Sequence, residues 1–101
     1  MTNKDRKLIA DYMKWNYNEN LGIHYYDSEG AVQRNLDSND ASLCVQEMLK
    51  RGEWLNFRSW AGTMWLKSRD SAEDVTAWLM TMEDRQAKNF FKAFVEWRKT
   101  K

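Results

Sequence analysis

Residues 84–99 carry a broad apolar stripe that a folded chain has to cover. Aromatic and aliphatic side chains recur there at helical spacing, with Lys and Glu on the opposite side; the stripe consists of Ala87, Phe90, Phe91, Phe94 and Val95. Such a helix gains most of its stability by burying this face against other elements. The rest of the 101-residue chain must therefore supply elements whose own apolar faces fit against it.

Two further segments have helical periodicity. Residues 3–16 are predicted to form a helix that begins at a Thr2-x-x-Asp5 capping box, with the stripe Leu8, Ile9, Tyr12 and Met13. Residues 38–51 are predicted to form a second helix, capped by Asp37 or Ser38 and ended by Gly52, with the stripe Ala41, Cys44, Val45, Met48 and Leu49. Between them, residues 17–36 are rich in Asn and turn signals, which predicts an ordered loop with room for a short edge strand.

Residues 53–82 fit two interpretations. Their aromatic and β-branched content favours three strands at 54–59, 63–67 and 75–81, with Leu55 and Phe57 on one face of the first. The alternative is helical, since Trp54, Phe57 and Ala61 also have helical spacing. We predict a single α+β domain over residues 1–101, in the order helix, loop, helix, three-stranded antiparallel sheet, helix. An all-α bundle is the alternative.

Composition excludes several classes of protein. One Cys cannot form an internal disulfide, and one Cys with one His cannot supply the four ligands of a structural zinc site. No apolar run approaches the ~20 residues needed to span a bilayer. We therefore expect no cofactor, no metal and no membrane insertion, and a cytoplasmic location, because nothing here requires an oxidising compartment.

No group of residues in the sequence indicates catalysis. His24 has no nucleophile placed beside it, and Cys44 lies on an apolar stripe, where it acts as a small buried hydrophobe. The four glycines are isolated, so no phosphate-binding loop is present. Two acidic pairs suit helix starts or turns: Glu73-Asp74 and Glu83-Asp84. We predict that the protein is not an enzyme.

Three predicted helical segments resemble, in order and character, the helices of a known family: residues 9–15 (IADYMKW), 42–50 (SLCVQEMLK) and 87–97 (AKNFFKAFVEW). Together they resemble the phage ABA sandwich domain, a family of small proteins from bacteriophages and integrated elements. The resemblance implies a three-layer α/β/α sandwich and a phage or mobile-element origin. It implies no activity.

Aromatic residues supply the candidates for binding. Tyr25 and Tyr26, in the long loop, have the character of interface residues. In the predicted sheet, cations interleave with indoles, a combination that suits protein contacts or the stacking of bases; the candidates there are Arg58, Trp60, Trp65, Lys67 and Arg69.

The function predicted from these features is macromolecular recognition. We expect a small accessory protein that binds a host protein, for example as an anti-defence inhibitor, where the origin rests on the resemblance. The alternative is a single-stranded nucleic-acid-binding protein that uses an aromatic and basic sheet face. An open strand edge also permits pairing between copies of the chain, as a homo-oligomer.

Overall fold

The computed structural model describes residues 1–62 and 84–100. In this part the chain forms helices and a three-stranded antiparallel sheet of order β1-β2-β3, so the predicted α+β class is confirmed and the all-α alternative is wrong. The elements are α1 (Asn3–Met13), β1 (Asn16–Asn18), β2 (Gly22–Asp27), β3 (Gly30–Gln33), α2 (Ser38–Lys50), α3 (Trp54–Trp60) and α4 (Asp84–Lys99). The predicted strands at 63–67 and 75–81 lie outside the described residues.

Local capping chemistry fixes the ends of the helices much as the sequence predicts. The Asp5 backbone N–H donates to Thr2 Oγ1 at 3.1 Å, and the Thr2 N–H donates back to Asp5 Oδ2 at 3.3 Å. Asp37 caps α2, and Gly52, at φ 70°, follows its end. The first helix ends at Met13 rather than at residue 16, because Lys14 adopts the left-handed conformation and turns the chain into β1.

The sheet occupies the segment that was predicted to be a loop. Tyr17 on β1 pairs with Ile23 on β2, and Tyr25 on β2 pairs with Val32 on β3. The prediction for residues 17–36 is therefore wrong beyond its short edge strand. These strands are only three to six residues long and mostly polar, so they show too little alternation to stand out in the sequence.

The segment 54–59, predicted to be a strand, is helical. Phe57 is fully buried in α3, whereas Leu55 is 67% exposed, although a strand would place the two on the same face. Trp54 and Ala61 lie against the core beside Phe57, as the helical alternative required. Packing between helices decides the outcome here over the strand preference of aromatic residues.

The core is built around the apolar stripe of α4, all of which is buried. The ring of Phe57 lies 5.6 Å from that of Phe90 and 5.4 Å from that of Trp97, both in edge-on arrangements. On another side of α4, the ring of Tyr12 from α1 meets Phe94 at 4.9 Å. Helix α4 therefore joins α1 and α3 through aromatic contacts.

The burial of Phe57 predicts that removing its ring lowers the free energy of unfolding far more than replacing it by another apolar side chain. Phe57→Ala should lower the free energy of unfolding by about 3–5 kcal/mol, because it removes a ring from the centre of the aromatic core. Phe57→Leu should cost about 1–2 kcal/mol and keep the protein folded for measurement. Urea denaturation followed by tryptophan fluorescence measures both values.

Leu55→Ala is the matched control. Because this side chain is exposed on α3, its truncation should change stability by no more than about 0.5 kcal/mol. Equal losses from Leu55→Ala and Phe57→Ala would contradict the helix and restore the strand interpretation of this segment.

Candidate binding surface

Strand β2 presents two adjacent tyrosines to solvent. Successive side chains of a strand point to opposite faces, so Tyr25 shares a face with Ile23 and Tyr26 shares one with His24. Tyr25 is 40% exposed and Tyr26 is 64% exposed. Both residues are binding candidates predicted from the sequence, and the structure places them on a paired strand rather than in a loop.

A cation fixes the position of Tyr25. The Arg34 guanidinium, just after β3, lies 4.9 Å from the centroid of the Tyr25 ring and 4.2 Å from that of Trp15. Both distances are within the range of cation–π attraction. The Arg34 backbone N–H also donates to the Ile23 carbonyl at 2.8 Å, which extends the pairing of β3 with β2. The Tyr25 ring is therefore held by Arg34 on one side, while the rest of the ring stays exposed to solvent.

A buried carboxylate holds Arg34 in turn. Arg34 Nη1 donates to Asp40 Oδ1 at 2.8 Å, and the Leu36 backbone N–H donates to Asp40 Oδ2 at 3.1 Å. The Asp40 side chain is only 7% exposed, so little solvent screens this pair. Since Asp40 lies in the first turn of α2, the pair connects the sheet to that helix.

Tyr26 rests on His24, whose side chain is buried although it lies on the opposite face from Ile23. The two rings meet edge-on at 5.2 Å. His24 Nδ1 lies 3.0 Å from the Gly22 carbonyl oxygen, which only accepts, so Nδ1 is the donor. In the neutral ring, Nε2 then accepts from the Tyr26 hydroxyl at 3.3 Å. Both ring nitrogens of His24 are thus engaged within the hairpin.

The tip of the β2–β3 hairpin is acidic. Asp27 and Glu29 are both exposed, and Asp27 Oδ1 accepts from the Glu29 backbone N–H at 2.8 Å, which shapes the turn. No Lys or Arg lies in the segment from Tyr25 to Gln33. We call Tyr25, Tyr26, Asp27 and Glu29 the hairpin surface; its two tyrosines lie on opposite faces of β2, and both are next to the acidic turn.

The other predicted binding residues lie elsewhere. Arg58 and Trp60 are half-buried on α3, and the Trp60 ring stacks on Phe57 at 6.4 Å, so they do not form the predicted open sheet face. Trp65, Lys67 and Arg69 lie outside the described residues. The roles of Trp15 and Arg34 could not be predicted from the sequence, because no periodic pattern links these residues. Strand pairing brings them together.

Cys44 is inaccessible in the core. It is fully buried on α2, as its place on the apolar stripe predicts, and burial raises the pKa of its thiol far above the ordinary value. Among residues 1–62 and 84–100, no group of three or more His, Cys, Asp or Glu side chains could hold a metal ion. No helix in the same ranges has the length and apolarity that crossing a bilayer demands.

Comparison of the chain with protein-family models, with curated proteins and with solved structures gives no match. The resemblance to the phage ABA sandwich domain, and the α/β/α sandwich it implies, therefore stay predictions.

The burial of Cys44 predicts slow reaction with thiol reagents. At neutral pH the native protein should react with an aromatic disulfide reagent at least ~100-fold more slowly than the chain unfolded in guanidinium chloride, because only locally opened molecules expose the thiolate. Absorbance of the released thiolate measures the rate. A cysteine introduced by Leu49→Cys in a Cys44→Ala background, on the exposed side of the same helix, should react rapidly. Equal rates for the two cysteines would contradict the described packing of α2.

The Arg34 contacts predict that lysine cannot replace this arginine. Arg34→Lys keeps the charge but loses the planar group that lies over Trp15 and Tyr25, so unfolding should become easier by about 1–2 kcal/mol. Chemical denaturation measures the loss. Arg6→Lys, at an exposed arginine without an ion pair in the described part of the chain, is the matched control and should be nearly neutral. A neutral Arg34→Lys would show that the cation–π contacts do not stabilise the hairpin.

Proposed function

We propose that this protein acts by binding another protein through the hairpin surface, without catalysis. The observation that carries the proposal is the pair of exposed tyrosines, Tyr25 and Tyr26, on a paired strand. Tyr is among the side chains that contribute most to protein interfaces, because its large amphipathic ring is buried at a small cost in conformational entropy.

Prior ordering of both rings supports the proposal. The Arg34 guanidinium, which also lies over Trp15, contacts the Tyr25 ring, and His24 holds Tyr26 through an edge-on contact and a hydrogen bond. A side chain fixed before binding has less freedom to lose on association, so more of its contact energy becomes affinity.

Charge favours a protein over a nucleic acid at this surface. Phosphates would be repelled by Asp27 and Glu29, which border the tyrosines and have no cation between them. The complementary surface is an apolar pocket bordered by Lys or Arg, on a protein partner. The resemblance to a phage family supports a host protein as that partner, and inhibition of a defence protein as one outcome.

Site-specific cross-linking tests the proposal. The full chain carries a photoreactive phenylalanine analogue in place of Tyr26, and a second version carries it in place of Leu55, an equally exposed residue on α3. Irradiation of cells that produce each version should give a discrete adduct with one other protein when the analogue is at position 26, and no adduct when it is at position 55. The cross-linked protein is then purified and titrated with the unmodified chain.

Affinity measurements complete the test. Tyr26→Ala should weaken binding of the purified partner by at least ~10-fold, and Asp27→Lys with Glu29→Lys should slow association, because they reverse the charge of the surface. Leu55→Ala should leave the affinity unchanged. Identical adducts from both positions, or equal affinities for Tyr26→Ala and the unmodified chain, would overturn the proposal.

A further inference from the structure

A separate cleft of about 530 Å³ lies on another part of the molecule. Its walls come from the first turns of α1, the β1–β2 turn, the segment after β3, and the outer side of α4. The volume is in the range of sites that hold small molecules of nucleotide size. The hairpin surface residues do not line this cleft.

Cations in this cleft outnumber carboxylates among the described residues. Arg6 projects from α1, and Lys88 and Lys92 project from α4, while Glu19 is the carboxylate among the described lining residues. Within residues 1–62 and 84–100, none of these three cations forms an ion pair. Arg34 also lines the cleft, but Asp40 already neutralises its charge. Among the described lining residues, positive charge therefore exceeds negative charge.

The two lysines on α4 repel each other. Lys88 and Lys92 are four residues apart on one helix, a spacing that places like charges side by side. Arg6 adds a third positive charge from the facing helix. An anion bound between the two helices would remove this repulsion and be attracted by all three groups.

A second basic groove shows the contrast. It is lined by Lys4, Lys7, Arg51 and Arg98, but three of these already have carboxylate partners. The ion pairs are Lys7–Asp11, Arg51–Glu47 and Arg98–Glu53. The Lys7 and Arg51 pairs are local and the Arg98 pair joins distant segments, whereas the three cations of the first cleft have no carboxylate partner among the described residues.

The uncharged lining indicates what else the ligand carries. Ile23 and Leu36 are buried residues that reach the cleft and supply an apolar contact. Asn3, Gln33 and Asn35 add side-chain amides, which donate and accept hydrogen bonds. An inorganic ion would contact only the cationic side chains and would leave the apolar and amide lining without a partner. We infer that the cleft binds a small organic phosphate of nucleotide size, with Arg6, Lys88 and Lys92 on the phosphates.

Calorimetric titration of the full chain tests this inference with two organic phosphates, adenosine diphosphate and glucose 6-phosphate. At least one should bind with a dissociation constant below about 1 mM and at least ~10-fold more tightly than inorganic phosphate. The affinity should fall as salt rises, because the contacts are charged. Adenosine without phosphate should not bind.

Paired variants locate the site. Lys88→Gln with Lys92→Gln should weaken binding by at least ~10-fold, while Lys4→Gln with Lys50→Gln, which changes net charge equally, should not. All four lysines are exposed, so thermal unfolding should be similar in both variants. Binding only by inorganic phosphate, no binding by either organic phosphate, or equal losses in the two variants would overturn the inference. So would tighter binding of a short oligothymidylate, which would indicate a single-stranded nucleic acid instead.

Discussion

The ring of Phe57 joins α3 to α4, because it contacts Phe90, Phe94 and Trp97 along α4. A short helix such as α3 has little stability of its own, so burial of this ring is what keeps the segment helical. Since Tyr12 meets the same helix through Phe94, α1 takes its position from α4 as well. The sheet then follows, because α1 is the helix that packs on β2.

The sheet is attached by both apolar and polar contacts. Ile23 is the one fully buried apolar residue within the described strands, and Tyr17 packs partly against the core. The pair between Arg34 and the buried Asp40 connects the end of β3 to the start of α2. The end of the hairpin does not pack against the core, so Tyr25 and Tyr26 stay exposed to solvent.

The sequence predicts elements whose signals are local. The stripe of α4, the capping box at Thr2 and the glycine after α2 each act within a few residues, and each lies where expected. The sheet depends on pairing between short polar strands, and the helical state of Trp54–Trp60 depends on a partner helix distant in the sequence. Tyr25 and Tyr26 could be predicted as binding candidates from residue type, but Arg34, which supports Tyr25, becomes its neighbour only in the fold.

The net charge of +1 conceals a separation of charge that the fold creates. Carboxylates border the tyrosines at the hairpin tip, whereas unpaired cations from α1 and α4 gather at the cleft. Most of the other charges in residues 1–62 and 86–100 are paired or cap helices. A basic protein surface and a phosphate would therefore be attracted to different parts of the molecule. Arg34 contacts Tyr25 and also lines the cleft, and its charge is paired with Asp40. This ion pair lies between the acidic hairpin tip and the basic cleft, so neither region's charge is cancelled by the other.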